Sequence, residues 1–188
     1  MIKLRTLLTE ISLQGIKPYT TSFNWKVPRH GDGERQEHII KIHDLVVHFI
    51  FEVYDEGDFG LEYEFSYGIH HSDDDYMDYP TLNHGAVAIN GQVNYMRLMA
   101  TVGIALMSFM NKVKPGVIDI SGYDDDSEDK KNQKTRIYNA LLATHMAEIT
   151  TAGYTTSDIG GKLYIVRKSN ADSTGIIDKS STLKGNYD

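Results

Sequence analysis

The sequence predicts an α+β domain in which two helices pack on one face of a mainly antiparallel sheet. Three observations predict this class. The first half alternates apolar and polar residues with a period of two, which is typical of strands. The second half holds two segments with the helical spacing of apolar residues. Short apolar runs bounded by glycine follow these segments, as expected of further strands.

The composition is that of one globular domain. The chain has 188 residues, of which 40% are hydrophobic and 24% are charged. This length is sufficient for a single sizeable core. We therefore expect one α+β domain over residues 1–168. Residues 169–188, which are rich in Ser, Asp, Gly and Lys, are predicted to form an extended or flexible tail.

Composition also excludes several classes of function. The absence of cysteine excludes disulfides, thiolate nucleophiles and Cys-type zinc sites. A net charge of -7 argues against nucleic acid as a partner, because such binding needs a basic surface. The sequence contains no run of 18 apolar residues, so it predicts no membrane span. The start, "MIKLRTLLTE", returns to charge too soon for a signal peptide, so we expect an intracellular protein or part of a particle assembled in a cell.

The first elements are predicted from short apolar patterns. Residues 1–13 carry a stripe of apolar positions that favours a short amphipathic helix, with a strand as the alternative. This helix would dock on its own domain or on a partner. "YTTSFNWKV", which ends at Pro28, and "EHIIKI" are predicted strands on either side of a loop.

A β-hairpin is the clearest local prediction. "LVVHFIFEVYDE" and "FGLEYEFSYG" are two alternating runs, and "DEGDFG" between them supplies the turn. Each strand has one apolar face, and Glu62 and Glu64 lie opposite the second, so the hairpin should have one wet side. The two apolar faces are formed by Val47, Phe49, Phe51 and Val53 and by Leu61, Tyr63, Phe65 and Tyr67.

Two helices and three short strands complete the prediction. Residues 94–113 have apolar residues around most of a helix, and Gly103 in their middle indicates a close crossing of another element. "KPG" ends this helix. The second helix covers residues 129–151 and is closed by Gly153. "GAVAING", "GVIDISG" and "GGKLYIVRK" are the short strands.

One segment is dense in metal-ligand residue types. Residues 68–85, "GIHHSDDDYMDYPTLNHG", place His71, Asp73 and His84 in the order of a two-histidine, one-carboxylate iron site. Such sites normally draw their ligands from separate strands, and this connection is too short to contain them. We therefore interpret the segment as a solvated loop between two strands. The acids of residues 73–78 leave weak binding of a divalent cation open.

The remaining polar patterns favour structural roles. His38, His43 and His48 recur every five residues. Because side chains alternate between the two faces of a strand, an odd spacing places successive histidines on opposite faces. Pairing between strands could still bring two of them together. No nucleophile elbow, phosphate loop or dinucleotide pattern is present. The acidic run 124–129 precedes the second helix, where acids complement the helix dipole, and whether it also binds a cation stays open.

The second half resembles acetyltransferases of the GNAT superfamily. The resemblance rests on the buried helix, "GVIDISG", a polar break containing Asn132, then "RIYNALL" and "GY", and it covers about residues 86–167. It implies that Tyr138 is the acid that protonates the departing thiolate of coenzyme A. The family's glycine-containing pyrophosphate loop would lie at residues 91–97, which read "GQVNYMR" and contain no glycine after Gln92. Because the phosphates need small residues beside the backbone, we expect a similar topology without the cofactor site, and no cofactor.

The whole chain also looks similar to small proteins of tailed bacteriophages. The start "MIKLRTLLTEI", the compact acidic body without cysteine, and "R-x-x-Y-N-x-L-L … GY" carry this resemblance. It implies a non-enzymatic protein that works through protein–protein contacts, as a minor virion component located in the virion or the host cytoplasm. Its partners would be other virion proteins or copies of itself. A GNAT-like acyltransferase and an inhibitor of a host protein are the alternatives.

Overall fold

The computed structural model describes residues 15–28, 35–57, 60–71, 93–120, 128–159 and 162–168. For residues 128–136 only the backbone is described. The predicted helix at 1–13, the predicted strand at 85–91 and the predicted tail at 169–188 lie outside these ranges. The acidic loop 73–78 lies outside them as well, as does most of the run 124–129.

The described chain has the predicted α+β class, with two helices and a mixed, mostly antiparallel sheet of six strands. The elements in chain order are β1 (Gln36–Ile42), β2 (Leu45–Gly57), β3 (Gly60–His71), α1 (Tyr95–Val113), β4 (Val117–Asp119), α2 (Glu128–Thr151), β5 (Tyr154–Ile159) and β6 (Lys162–Arg167). Five of these strands and both helices overlap predicted segments, whereas β5 was not predicted.

The strand order in the sheet is β1-β2-β3-β4-β6-β5. All neighbouring pairs are antiparallel except β3 and β4, which are parallel and are joined through α1. A parallel pair needs a crossover connection, and a helix commonly supplies it. The parallel pairing covers only residues 62–64 of β3, so residues 65–71 extend beyond the last pair with β4.

The β2–β3 hairpin has the predicted faces. The inner face, which packs against the helices, includes Phe49, Phe51 and Phe65, each fully buried. The outer face differs from the prediction of one wet side. Glu52 and Glu64 are exposed there, but Val46, His48 and Ile50 on the same face of β2 are buried. The outer face is therefore wet near β4 and dry near the opposite end of the hairpin.

Strand β3 is longer than the sequence predicted. It pairs with β2 as far as His71, opposite Leu45, so the first residues of the segment 68–85 belong to a strand and not to a loop. The error arises because Gly68 was taken as a turn residue. In the structure Gly68 lies opposite His48 within the ladder, where β2 supplies the hydrogen bonds that continue the strand.

The prediction of a strand at residues 19–27 is wrong, because this segment is irregular. Its aromatic residues pack edge-on against the inner face: Phe23 stacks on Trp25 with ring centroids 5.6 Å apart, and Trp25 meets Phe51 edge to face at 5.1 Å. The Gln36 side chain accepts from the Lys26 N–H and donates to the Lys26 carbonyl, both at 2.8 Å. A side-chain amide thus satisfies backbone groups that a strand neighbour would otherwise satisfy.

Helix α1 forms the centre of the core and is buried over most of its circumference, as predicted. Phe109 stacks on Phe51 with centroids 3.6 Å apart and ring planes 1° from parallel. Gly103 marks the predicted close crossing, because a Cβ there would come within 3.0 Å of Leu141 in α2 and would overlap the His145 ring. The missing side chain allows the two helix backbones to approach each other.

Chain reversals after the helices use the left-handed region of backbone conformation. Lys114 follows α1 with φ 57° and donates its N–H to the Met110 carbonyl at 3.1 Å. Gly153 follows α2 with φ 86°, as the sequence predicted for a helix-closing glycine. The next residue, Tyr154, donates its hydroxyl to the Pro115 carbonyl at 2.9 Å, which ties the start of β5 to the end of α1.

Among the described helices, none is both long and apolar enough to cross a membrane.

Candidate functional site

The most distinctive polar group in the described chain lies on the outer face of the sheet. We call Glu37, His48 and His70 the histidine cluster. The Glu37 Oε1 atom lies 2.6 Å from His48 Nδ1, and His48 Nε2 lies 2.8 Å from His70 Nε2. His70 Nδ1 in turn lies 2.7 Å from the carbonyl oxygen of His71. These three contacts form a continuous chain of hydrogen bonds across β1, β2 and β3.

Strand register places these three side chains together. On β1 and β2, Ile39 lies opposite His48, and Glu37 is two residues from Ile39, so Glu37 and His48 share the outer face. On β3, Gly68 lies opposite His48, and His70 is two residues further on. Since glycine has no side chain, the ring of His48 has room to reach the diagonal neighbour. His48 is 1% exposed, which removes it from bulk water.

The residues of the alternative metal site, which the sequence analysis set aside in favour of a solvated loop, are only partly described. His71 lies at the end of β3, where its Nδ1 is 3.5 Å from the Asp44 carboxylate, and both side chains are well exposed. Asp73 and His84 lie outside the described residues. Within the described ranges, no group of three or more His, Cys, Asp or Glu side chains has the arrangement of a metal site.

The three regularly spaced histidines go to different places, as their odd spacing predicted. His38 faces inward on β1 against Phe23 and Trp25, and burial lowers its pKa. His43 occupies the β1–β2 turn with φ 57°. His48 alone joins the cluster. The histidine that meets it across the strands is His70, which is not one of these three.

Tyr138 lies inside the core, on the face of α2 that meets the sheet. It is 7% exposed, and it forms a group with Tyr67 of β3 and Tyr95 of α1. Burial first, and then the neighbouring Tyr95, raises the pKa of the Tyr138 phenol, so the hydroxyl stays protonated over the ordinary pH range. Tyr67 and Tyr95 share a hydrogen bond between their hydroxyls. This tyrosine group lies on the inner side of the sheet.

The first turn of α1 is held by the chain's own N-terminal segment. Asn94 caps the helix by accepting the Arg97 N–H at 3.0 Å, and its own N–H donates to the Tyr19 hydroxyl at 2.8 Å. The Arg97 guanidinium donates to the carbonyls of Lys17 and Pro18 and lies 4.2 Å from the centre of the Tyr19 ring. Helix starts bind phosphate through their amide groups, and here the segment 17–19 contacts the first turn.

Carboxylates form a row across the outer face at its wet end. Glu52 lies opposite Glu64, and Glu64 lies opposite Asp119 on β4. Partial burial of its carboxyl group raises the pKa of Glu64, and the charges of Asp119 and Glu52 raise it further. Like charges in direct register destabilise a sheet, so this row is a local cost to the fold.

The sequence contained only part of the signal for the histidine cluster. The "DEGDFG" turn pairs the ends of β2 and β3, but a one-residue shift of the register between Val53 and Asp55 sets His48 opposite Gly68. His70 then follows on the same face by alternation. Glu37 carried no such signal, because its place depends on the loop between β1 and β2 and on the left-handed conformation of His43.

Comparisons of the chain with protein-family models, with curated proteins and with solved structures find no match.

Proposed function

We propose that this chain is a non-enzymatic protein that acts through protein–protein contacts, as a minor structural component of a bacteriophage-type particle. The observation that carries the non-enzymatic part is the closed start of α1. Tyr19, Asn94 and Arg97 satisfy one another there, so the segment 17–19 contacts the first turn of α1, next to the residues 91–97 at which the GNAT resemblance implies a pyrophosphate loop. The bacteriophage part is supported by the sequence resemblance.

Surface features support a role in contacts. Large apolar side chains are exposed on or beside the outer face, including Ile39 at 48% and Tyr54 at 43%. Exposed tyrosines and isoleucines of this kind are typical of contact surfaces when polar residues surround them. Glu62 and Asp119 provide such surroundings near Tyr54. Glu52 and Glu64 lie opposite each other on the same face, so a partner with basic groups would relieve the repulsion between these carboxylates.

The structural role predicts that the protein is present in purified particles. We expect quantitative mass spectrometry of particles made from the native genome to find the chain at a constant copy number after density-gradient purification. A capsid protein from the same particles serves as the reference for copy number. If the chain is absent from particles but present in infected cells, the structural role is rejected. Affinity capture of a host protein from those cells would then support the inhibitor alternative.

One observation favours a second candidate, a GNAT-like acyltransferase. The resemblance implies that a tyrosine on the second helix acts as the acid, and Tyr138 of α2 lies beside Tyr67 and Tyr95. This group is on the inner face of β3, which continues past its short parallel pairing with β4. A protonated, buried phenol is chemically able to donate to a thiolate.

Coenzyme A distinguishes the two candidates. Because the segment 17–19 contacts the start of α1, we expect isothermal calorimetry with millimolar coenzyme A to show no binding heat. We also expect thermal unfolding to show no shift of the melting temperature with the ligand. The Arg97→Ala variant is the control for this contact, since it removes the hydrogen bonds to Lys17 and Pro18 that hold the segment in place. Saturable binding by the wild-type chain, lost in Tyr138→Phe together with acyl transfer, would establish the acyltransferase.

A further inference from the structure

The side of β1 that faces away from β2, which we call the open edge, has no strand neighbour within the described chain. Among the described strands, β1 stands at one end of the sheet and pairs with β2 alone. It runs over seven residues, Gln36–Ile42, and contains neither a proline nor a shift of register, which are features that commonly block an edge. The segment 15–28 bonds the Gln36 side chain and packs on the inner face of β1, so these contacts do not use the backbone groups of the open edge. Such an edge is able to pair with another strand.

The two-residue turn between β1 and β2 determines which backbone groups face the open edge. The turn makes Ile42 and Leu45, the residues on either side of it, a hydrogen-bonded pair. Because successive residues of a strand direct their backbone groups to opposite sides, Glu37, Ile39 and Lys41 direct theirs at the open edge. The exposure of Glu37 agrees with this assignment. The residue as a whole is exposed although its side chain is only 25% exposed, so its main chain reaches solvent.

The side chains of β1 on the outer face are arranged symmetrically about Ile39. Glu37 lies two residues before Ile39, and Lys41 lies two residues after it. If a second copy of β1 pairs antiparallel with Ile39 opposite Ile39, Glu37 of each copy lies opposite Lys41 of the other. Both charge pairs are then attractive. The two isoleucines, each 48% exposed in the single chain, cover each other at the two-fold axis.

Neighbouring registers of this self-pairing bring like charges together, which destabilises a strand pair. An axis one residue before Ile39 sets Arg35 of one copy opposite Lys41 of the other. An axis two residues before or after Ile39 sets Glu37 opposite Glu37 or Lys41 opposite Lys41. The other edge strand, β5, has no basic residue to complement a second copy. We propose that β1 pairs antiparallel with β1 of a second copy of this chain about a two-fold axis at Ile39, which joins the two sheets into one.

The contacts of Glu37 within its own chain are compatible with this pairing. Its Oε1 atom lies 2.6 Å from His48 Nδ1 and 3.7 Å from the Arg35 guanidinium. A carboxylate has a second accepting oxygen, so Glu37 is able to accept from the exposed Lys41 of the second copy as well. The same patch is used on both copies, so association closes at a dimer. The dimer is one contact within the proposed function but does not depend on it, because it is measured on the purified chain without particles.

Sedimentation equilibrium of the full chain over a series of concentrations tests the proposal, and we expect a monomer–dimer equilibrium. Ile39→Lys sets two ammonium groups against each other at the axis, so it should raise the dissociation constant of the dimer at least about tenfold. Met146→Lys, which changes an exposed apolar residue of α2, is the matched control and should leave the constant unchanged. Circular dichroism checks that each variant folds. A chain that is monomeric at every concentration, or a dimer that Ile39→Lys does not weaken, overturns the proposal.

Single cysteines test the register, and they also decide if Ile39→Lys does not fold, because the chain has no cysteine of its own. Ile39→Cys sets the two thiols opposite each other, with Cα atoms about 5.5 Å apart, a separation that a disulfide spans. Lys41→Cys sets them four residues apart along the strands, roughly 13 Å, which a disulfide does not span. We expect oxidised glutathione to link Ile39→Cys into a covalent dimer faster than Lys41→Cys. Linking of Ile39→Cys that is no faster than that of Lys41→Cys overturns the proposed pairing.

Discussion

Replacing Phe109 by alanine is expected to destabilise the protein by about 4 kcal/mol, the range found when a large buried aromatic side chain is truncated. Phe109 is fully buried, stacks on Phe51 at 3.6 Å, and meets Trp25 and Tyr63 edge to face at 5.4 and 5.0 Å. It therefore joins α1, the hairpin and the irregular segment 15–28. Urea unfolding followed by tryptophan fluorescence measures the loss directly, because Trp25 is the single tryptophan.

Phe109→Leu is the matched variant, since it keeps most of the apolar volume but removes the stacked ring. We expect it to lose less than half as much stability as Phe109→Ala, because volume-conserving changes in a core cost less than about 1.5 kcal/mol. A loss below about 1 kcal/mol for Phe109→Ala would contradict the central position of this ring, because values of that size are typical of average substitutions.

The second large effect is expected at the helix crossing. Gly103→Val should destabilise the protein by about 2 kcal/mol, as overpacking of a core does, although valine is a better helix former than glycine. Even the first side-chain atom at this position would overlap the His145 ring and approach Leu141 within 3.0 Å. Thermal and urea unfolding measure the change.

Two further variants separate crowding from helix propensity. Asn111→Val introduces the same residue at an exposed position of α1, where only propensity changes. The pair Gly103→Ala and His145→Ala forms a double-mutant cycle, in which removal of the imidazole should offset part of the crowding. Equal stabilities of Gly103→Val and Asn111→Val, or additive effects in the cycle, would show that the helices do not meet at Gly103.

The sequence was sufficient to predict elements whose periodicity is strong. The alternation of Val47, Phe49 and Phe51 sets the inner face of β2, and Gly103 indicated that another element crosses α1 closely, which the structure shows to be α2. Both signals are local, because a side chain's face follows from the position of its residue along one element.

Features that depend on distant partners were not predictable in this way. The segment 19–27 has the composition of a strand, but its aromatic rings pack on Phe49 and Phe51, and the Gln36 side chain bonds its backbone. Strand β5 was missed because "YTTSDI" has few apolar residues, and it is defined by pairing with β6. The histidine cluster likewise requires the register of three strands at once.

The two candidate sites considered from the sequence also have contacts with distant residues that the sequence did not indicate. Tyr138 was identified from a motif along one helix, and the structure places it among Tyr67 and Tyr95 from two other elements. The set of His71, Asp73 and His84 was identified from close spacing in the sequence. Only His71 lies in the described chain, and there it contacts Asp44 from the preceding turn, a residue that spacing did not indicate.

The short parallel pairing of β3 and β4 divides the sheet into two antiparallel blocks. Strands β1, β2 and β3 form the first, and β4, β6 and β5 form the second. Residues 62–64 pair with residues 117–119 where the blocks meet edge to edge, and the Gly116 N–H donates to the Leu61 carbonyl beside them. Within each block, every strand is hydrogen-bonded to a neighbouring strand of the same block, so each block has the character of a separate cooperative unit. Helices α1 and α2 pack against both blocks from one side of the sheet and hold them together. Mechanical or thermal stress on this domain would therefore concentrate at the β3–β4 seam.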